Sequence, residues 1–584
     1  MAEISMTQSS ERNRERRPRR RSELGLAAWI IIIAGTALAI YLIAVPLLML
    51  LFTAFRGPSD FLPFEPGAGW TLGNLIDVYT SSVLYTRIIP DTLIFAGGSV
   101  TLSFTVGFTL AWLIERTDLP ARDTWFTLIL FPMLVPSIVL AIAWIFLMGP
   151  QAGWLNVALE QVFGVKGVVN VFSMGGLILC QSLATIPFTY LLLSSALRTM
   201  NPSLEEASGA SGASSLTTFR KVTVPVLLPG LLAPLILVTL VTLEQYELPS
   251  VIGVPAQINV FSYRILYELN PADGLPNYGG AAAVALPFLL MGILLLALYN
   301  LAVRRADKFV TVTGKAYRQR RLELGRWKVP SMLFLSAYVL LAGILPALVL
   351  VWTAFFGFAP PSLASLSSFS AEPFQRLFAS REFWLAIRNT FFVAAASAAI
   401  ITMLGGLVAW VVMRLKFPGR TLLDFFSFMS IGIPSVIAGL AIMLLYLTLP
   451  VGIYGTVWIL VIAYSYRLAI STRLAKAGLL QMHKELEEAS SASGATWIST
   501  QWRVVLPLMR PALFSSFVLL FIVGVREFTL PLILHSPDNV VLSVLLWRLY
   551  QNGDTIGAAA LGSLIVLLVI PIVILARRAL SRSS

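Results

Sequence analysis

The sequence predicts an all-α integral membrane protein of twelve transmembrane helices, arranged as two homologous six-helix halves. Long apolar runs, a sparse and lopsided set of charges, and an internal repeat predict it. Of 584 residues, 57% are hydrophobic and 12% charged, and mean hydropathy is +0.82. Soluble domains carry about 25% charged residues, so an ordinary soluble protein is excluded. A spanning helix needs about 20 apolar residues, and the runs reach that length. Membrane β-barrels show alternating segments of about 10 residues instead.

The predicted spans cover 28–53, 91–114, 125–148, 172–197, 226–250, 281–303, 331–356, 389–413, 423–448, 453–472, 511–532 and 557–576. Residues 11–22 read ERNRERRPRRRS ahead of the first run. That run is too long for a signal peptide and lacks a cleavage signal, so it is expected to be a retained helix. Cationic residues gather in cytoplasmic loops. With the N-terminus inside, inner segments carry 32 Lys and Arg and outer ones 8. Both termini are therefore expected in the cytoplasm. Topology accounts for the net charge of +13 without nucleic acid as a partner; membrane lipid is the surrounding solvent.

The repeat has two registers. Trp112, Pro120, Arg122 and Pro136-Ser137 recur as Trp410, Pro418, Arg420 and Pro434-Ser435, 298 residues on. LEEASGASGAS (204–214) recurs as LEEASSASGAT (486–496), 282 residues on, together with Pro225/Pro507, Pro229/Pro511 and Pro249/Pro531. The change of 16 predicts a longer outer loop near 149–172 in the first half. The expected organisation is a basic tail over 1–27, a first six-helix half over 28–304, a linker over 305–329, a second half over 330–578 and a tail over 579–584.

Two connecting segments, 198–225 and 480–507, are long and rich in small residues. The first carries Glu205, Glu206, Ala207, Gly212 and Pro225; the second carries Glu487, Glu488, Ala489, Gly494 and Pro507. The pattern predicts a short helix, a glycine turn and a second short helix stopped near the proline. Small residues let a partner's backbone approach, and the glutamate offers a charge, so the segments suit helix-in-groove docking.

The pattern resembles the EAA loop of ABC-importer permeases, present twice in register. Ser208 and Ser490 at the third motif position, and Val224 before Pro225, depart from it by small-for-small and apolar-for-apolar changes. Tyr464–Arg467 (YSYR) and Pro187-Phe188 are similar to fused permeases of the ferric-iron type, over roughly 85–305 and 385–578. The resemblance implies a type I importer fold and docking onto two copies of a cytoplasmic ABC ATPase. It also implies a periplasmic substrate-binding protein and residence in a bacterial inner (plasma) membrane. ATP and Mg would be bound by the ATPase. The chain itself is not expected to be an enzyme or to bind a cofactor, since no G-x-x-x-x-G-K-[ST] loop occurs; Gly314-Lys315 is followed by Ala316. Ferric iron is the family-based substrate; thiamine, polyamines and phosphonates are carried by relatives of similar layout. A twelve-helix secondary transporter is the alternative.

Charges inside spans mark function or internal pairing. Span five ends LEQYELP (243–249) and span eleven VREFTLP (525–531). Glu244, Glu247 and Glu527 are candidate pathway carboxylates. A Glu244–Arg526 lock between the halves is the favoured structural expectation, with Arg467 pairing to Glu527. Pro136 and Pro434 are expected to kink spans three and nine, and Pro187 to loosen span four. Cys180 is expected to be a packing residue. One cysteine and two distant histidines, His483 and His535, offer no metal site.

Overall fold

The computed structural model describes residues 25–198, 203–271, 274–306, 322–358, 361 and 364–583. Most of the predicted basic tail (1–24), the middle of the linker (307–321) and residues 199–202 of the first docking segment lie outside these.

Each predicted apolar run corresponds to a helix or a helix pair. Among the described residues, eight helices are long and apolar enough to cross a membrane unaided: Leu26–Ala54, Leu84–Arg116, Met174–Arg198, Phe219–Glu244, Tyr278–Val303, Gly325–Phe356, Arg381–Arg414 and Trp497–Arg526. Spans three, nine and ten are not single helices; the breaks in three and nine fall at Pro136 and Pro434, where kinks are expected, and the break in ten is an addition from the structure. Span three is Arg122–Leu134 and Ser137–Met148, bent by 97°, and span ten is Val457–Tyr464 and Leu468–Gln481, bent by 50°. Span nine is Arg420–Met429 followed by Ser435–Thr448. The last run forms the Thr555–Ser583 helix.

Proline causes two of the breaks. Pro136 and Pro434 sit at φ/ψ of −54°/136° and −56°/140°. Each lacks an N–H and forces the residue before it out of the helical region. Elsewhere proline is absorbed without a break. Leu84–Ile88, Phe219–Thr223, Leu340–Ile344 and Gln501–Val505 are π-helical turns. Pro90, Pro225, Pro346 and Pro507 each follow two residues after one. Val224 N–H bonds to Phe219 O, and Leu506 N–H to Gln501 O. The wide turn moves the carbonyl that the proline ring would strike. The stop expected near Pro225 and Pro507 is therefore corrected: the helices run on through both prolines into the fifth and eleventh spans.

The first helix of each half packs on its own half and also reaches across onto the other. Leu26–Ala54 packs against Ser435–Thr448 and Arg381–Arg414 of the second half, with Tyr41 Oη 3.0 Å from Tyr446 Oη. Leu345–Phe356 packs against Ser137–Met148 of the first, and the fully buried Trp144 donates to Leu341 O at 3.0 Å. The longer loop of the first half holds the Trp154–Phe163 helix. Asn156 ties it down, donating to Gly149 O and Val169 O and accepting from Val169 N–H.

The end of the linker is clamped to the first half. Leu322 N–H donates to Arg116 O at 2.9 Å and Asp118 N–H to Leu322 O at 3.1 Å. Asp118 also accepts from Leu324 N–H and meets Lys328 Nζ at 2.7 Å. The Lys328 ammonium beside Asp118 holds its carboxyl below the ordinary carboxylate range.

Candidate functional site

The two docking segments are built alike. In the first, Ser203–Ala210 is followed by Gly212 at φ +81° and by Ser215–Thr218. In the second, Glu485–Ala492 is followed by Gly494 at φ +82° and by Trp497–Thr500. Gly212 N–H bonds to Gly209 O and Ala213 N–H to Ser208 O. Gly494 N–H bonds to Ser491 O and Ala495 N–H to Ser490 O. This is the Schellman closure, which needs a left-handed residue at the turn.

No heavy atom lies within 4 Å of a Cβ built on Gly212 or Gly494, so only backbone strain opposes a side chain there. A left-handed L-residue costs about 1–2 kcal/mol. Gly212→Ala should therefore speed amide exchange at Ala213 by roughly 5- to 30-fold. Gly209→Ala, in the helix before the turn and equally uncrowded, should not. Equal exchange in the two variants would contradict the account.

Within each Glu-Glu pair the residues part company. Glu205 turns inward to Arg116 and accepts from Thr223 Oγ1 at 2.7 Å. Glu487 accepts from Arg414 Nε at 2.7 Å and Trp410 Nε1 at 3.0 Å. Arg116 and Arg414 end the second helix of each half, 298 residues apart. Their recurrence four residues after Trp112 and Trp410 is the signal in the sequence that marks them. Glu206, Ala207, Glu488 and Ala489 are exposed, as are both glycines. Ser208 and Ser490, expected to be neutral departures, hydrogen-bond Thr218 and Thr500, each at 2.9 Å. The hydroxyls brace the two short helices against each other.

The second constellation lies where the fifth and eleventh spans end. Val224–Glu244 and Leu506–Arg526 stop at the same place in the repeat. Gln245 and Glu527 then turn extended, at φ/ψ of −62°/127° and −64°/133°. Ser262 Oγ donates to Gln245 O and Ser543 Oγ to Glu527 O, both at 2.7 Å. Irregular backbone at membrane depth persists only where protein or an aqueous cavity surrounds it.

No ion pair joins Glu244 to Arg526 among the described residues, so the expected lock is corrected. Each residue instead grips a broken helix of the other half. Glu244 Oε1 accepts from Ser435 Oγ at 2.5 Å and from Ser435 N–H at 3.3 Å. A carboxylate suits the open N–H groups at the start of Ser435–Thr448. Arg526 Nε donates to Val135 O at 3.2 Å, a carbonyl freed by the break at Pro136. The proline kinks thus supply the polar backbone that these charges need. Arg467 Nη2 lies 2.5 Å from Glu527 Oε2 and donates to Ser435 Oγ at 2.9 Å. Glu244, Ser435, Arg467 and Glu527 form one chain of contacts spanning both halves. Glu247 accepts from Thr529 Oγ1 at 3.3 Å.

Among the described residues, no three His, Cys, Asp or Glu side chains converge to hold a metal ion. Cys180 is fully buried in the Met174–Arg198 helix. Pro187 lies inside the same helix, which continues through it as one span.

Residues 103–308 and 401–583 both match the family described as the binding-protein-dependent transport system inner membrane component. The chain is 26% identical over 541 residues to the ferric transport system permease protein FbpB of Actinobacillus pleuropneumoniae, covering 91% of this chain and 77% of that one. It is 22% identical over 470 residues to the Fe(3+)-transport system permease protein FbpB 2 of Haemophilus influenzae, covering 80% and 84%. The inner membrane ABC transporter permease protein YdcU of Escherichia coli is 30% identical over 280 residues, covering 45% and 84%. Among solved structures, a bacterial ABC transporter that imports the acidic polysaccharide alginate matches with a TM-score of 0.36 and 20% identity, over 44% of this chain and 97% of that one. With two family matches placed one in each half, the secondary-transporter alternative falls, and the chain belongs to the inner membrane permeases of binding-protein-dependent ABC importers.

Proposed function

We propose that the chain forms the whole translocation path for ferric iron, one six-span half over 28–304 and the other over 330–578. Two copies of an ABC ATPase dock on the exposed faces around Glu206 and Glu488. A periplasmic binding protein delivers the cargo, and both termini lie in the cytoplasm, as the arginine-rich start favours. The duplicated docking geometry carries this reading. Two loops of matching turn, brace and buried tether suit two equivalent partners. The names of the FbpB relatives support iron as cargo. ATP and Mg belong to the ATPase, and no step of hydrolysis falls to this chain.

Two measurements test it. Native mass of the purified complex should give one permease with two ATPase copies. Uptake of radiolabelled ferric iron should require the binding protein and ATP. A stable complex with a single ATPase would overturn the partnership. Uptake of thiamine, a polyamine or a phosphonate, with no iron uptake, would overturn the cargo.

A further inference from the structure

Equivalent residues of the two halves meet face to face at one level of the protein. Tyr246 and Phe528 are related by the 282-residue repeat. Their rings stack with centroids 6.3 Å apart and planes 21° apart. Glu247 and Thr529, related by the same shift, meet through the hydrogen bond at 3.3 Å. In a pseudo-twofold structure, like positions touch each other only on the axis. A path running between two like halves follows that axis. At this level it is filled: Tyr246 is 5% exposed and Phe528 1%, and Trp547 packs edge-on against Phe528 at 6.0 Å.

The charges at the plug are not balanced. The constellation has three carboxylates and two guanidiniums. Glu527 is paired with Arg467, and Glu244 is held by Ser435. Glu247 forms no ion pair among the described residues, and the residue facing it across the axis is the neutral Thr529. The carboxylates thus outnumber the guanidiniums by one, and Glu247 lies on the axis beside the aromatic pair. With no converging set of ligands around it, a passing cation would be attracted and not retained, as conduction requires.

We infer that Tyr246 and Phe528 are the gate of the path and that Glu247 makes it selective for positively charged solutes. Opening it means separating the fifth and eleventh spans, which strains the Glu244–Ser435 and Arg526–Val135 contacts. The inference rests on the proposed importer function but not on iron being its cargo.

Cysteine chemistry tests the gate, because the native chain has one cysteine and it is buried. Glu247→Cys with Thr529→Cys should form a disulfide in the complete complex. Cutting at a protease site placed in the linker should then leave the halves covalently joined. Oxidation should lower ATP turnover stimulated by the binding protein at least about tenfold, or roughly 1.4 kcal/mol, and reductant should restore it. No cross-link, or unchanged turnover when cross-linked, overturns the gate.

Selectivity is read with potassium and chloride in liposomes containing the complex. Tyr246→Ala with Phe528→Ala should leak potassium in preference to chloride. Adding Glu247→Gln should abolish that preference. Placing the carboxylate on the other half instead, with Glu247→Thr and Thr529→Glu, should restore it. A local structural role for Glu247 would not survive that exchange. No leak, or a preference indifferent to Glu247→Gln, overturns the proposal. If the wild-type complex takes up no ferric iron, only the cargo assignment falls.

Discussion

Glu206→Lys combined with Glu488→Lys is expected to abolish uptake while leaving the chain inserted and folded. Both carboxylates are exposed on the docking helices, whereas their neighbours Glu205 and Glu487 are committed to Arg116 and Arg414. A hydrogen bond to a charged group contributes about 1.5–3 kcal/mol. Reversal replaces attraction with repulsion at two separate loops, so the losses should add. Each copy then loses roughly 1.5–3 kcal/mol, or about one to two orders of magnitude in affinity, and assembly of the complex with both copies loses about twice that free energy. Co-purification of the ATPase and uptake should fail together. Retained uptake would remove the loops from the docking surface. The inner pair behaves differently: Glu205→Gln and Glu487→Gln should loosen the loops by exposing a buried guanidinium to an incomplete partner.

Arg467→Met is expected to be the most destabilising single change in the intramembrane constellation. It strands Glu527 without its guanidinium, and removing one partner of a buried pair costs about 3–5 kcal/mol. Arg467→Met with Glu527→Met removes both members of the ion pair together and should recover much of that loss. The pair should therefore show a coupling of about 0.5–3 kcal/mol in a double-mutant cycle read by thermal unfolding in detergent. Glu244 and Arg526 should show additive losses, because each is tied to a different broken helix and not to the other. The opposite pattern, with coupling at Glu244/Arg526 and additivity at Arg467/Glu527, would refute the contacts described here.

These two constellations also mark how far sequence reasoning reaches. Membrane spans were legible because hydrocarbon demands length and apolarity, and both are written residue by residue. The docking turns were legible because a left-handed position selects glycine in both halves. The partners of Glu244 and Arg526 were not legible, because both bond to backbone or hydroxyl groups exposed by helix breaks. Pro136 and Pro434 announced a disturbance, but not which distant charge would fill it. Opposite charges at aligned positions suggest a lock by charge alone, but the broken helices offer each charge a partner of its own. Pro225 and Pro507 misled in the other direction. A proline reads as a helix stop, yet one π-helical turn ahead of it preserves the helix.

The reach of the first helix onto the second half sets a clock on biogenesis. Leu26–Ala54 leaves the ribosome among the first segments, but one of its packing partners, Ser435–Thr448, is made nearly 400 residues later. At roughly 5–20 residues per second, that helix waits on the order of 20–80 seconds in the bilayer. During the interval, lipid or an insertion factor must cover its packing face, and Tyr41 has no Tyr446 to meet. The six spans of the first half can insert and associate in order, but that half is complete only after the second has been synthesised. A chain halted between the halves would hold that helix by its contacts with Tyr278–Ala306, without those the second half supplies.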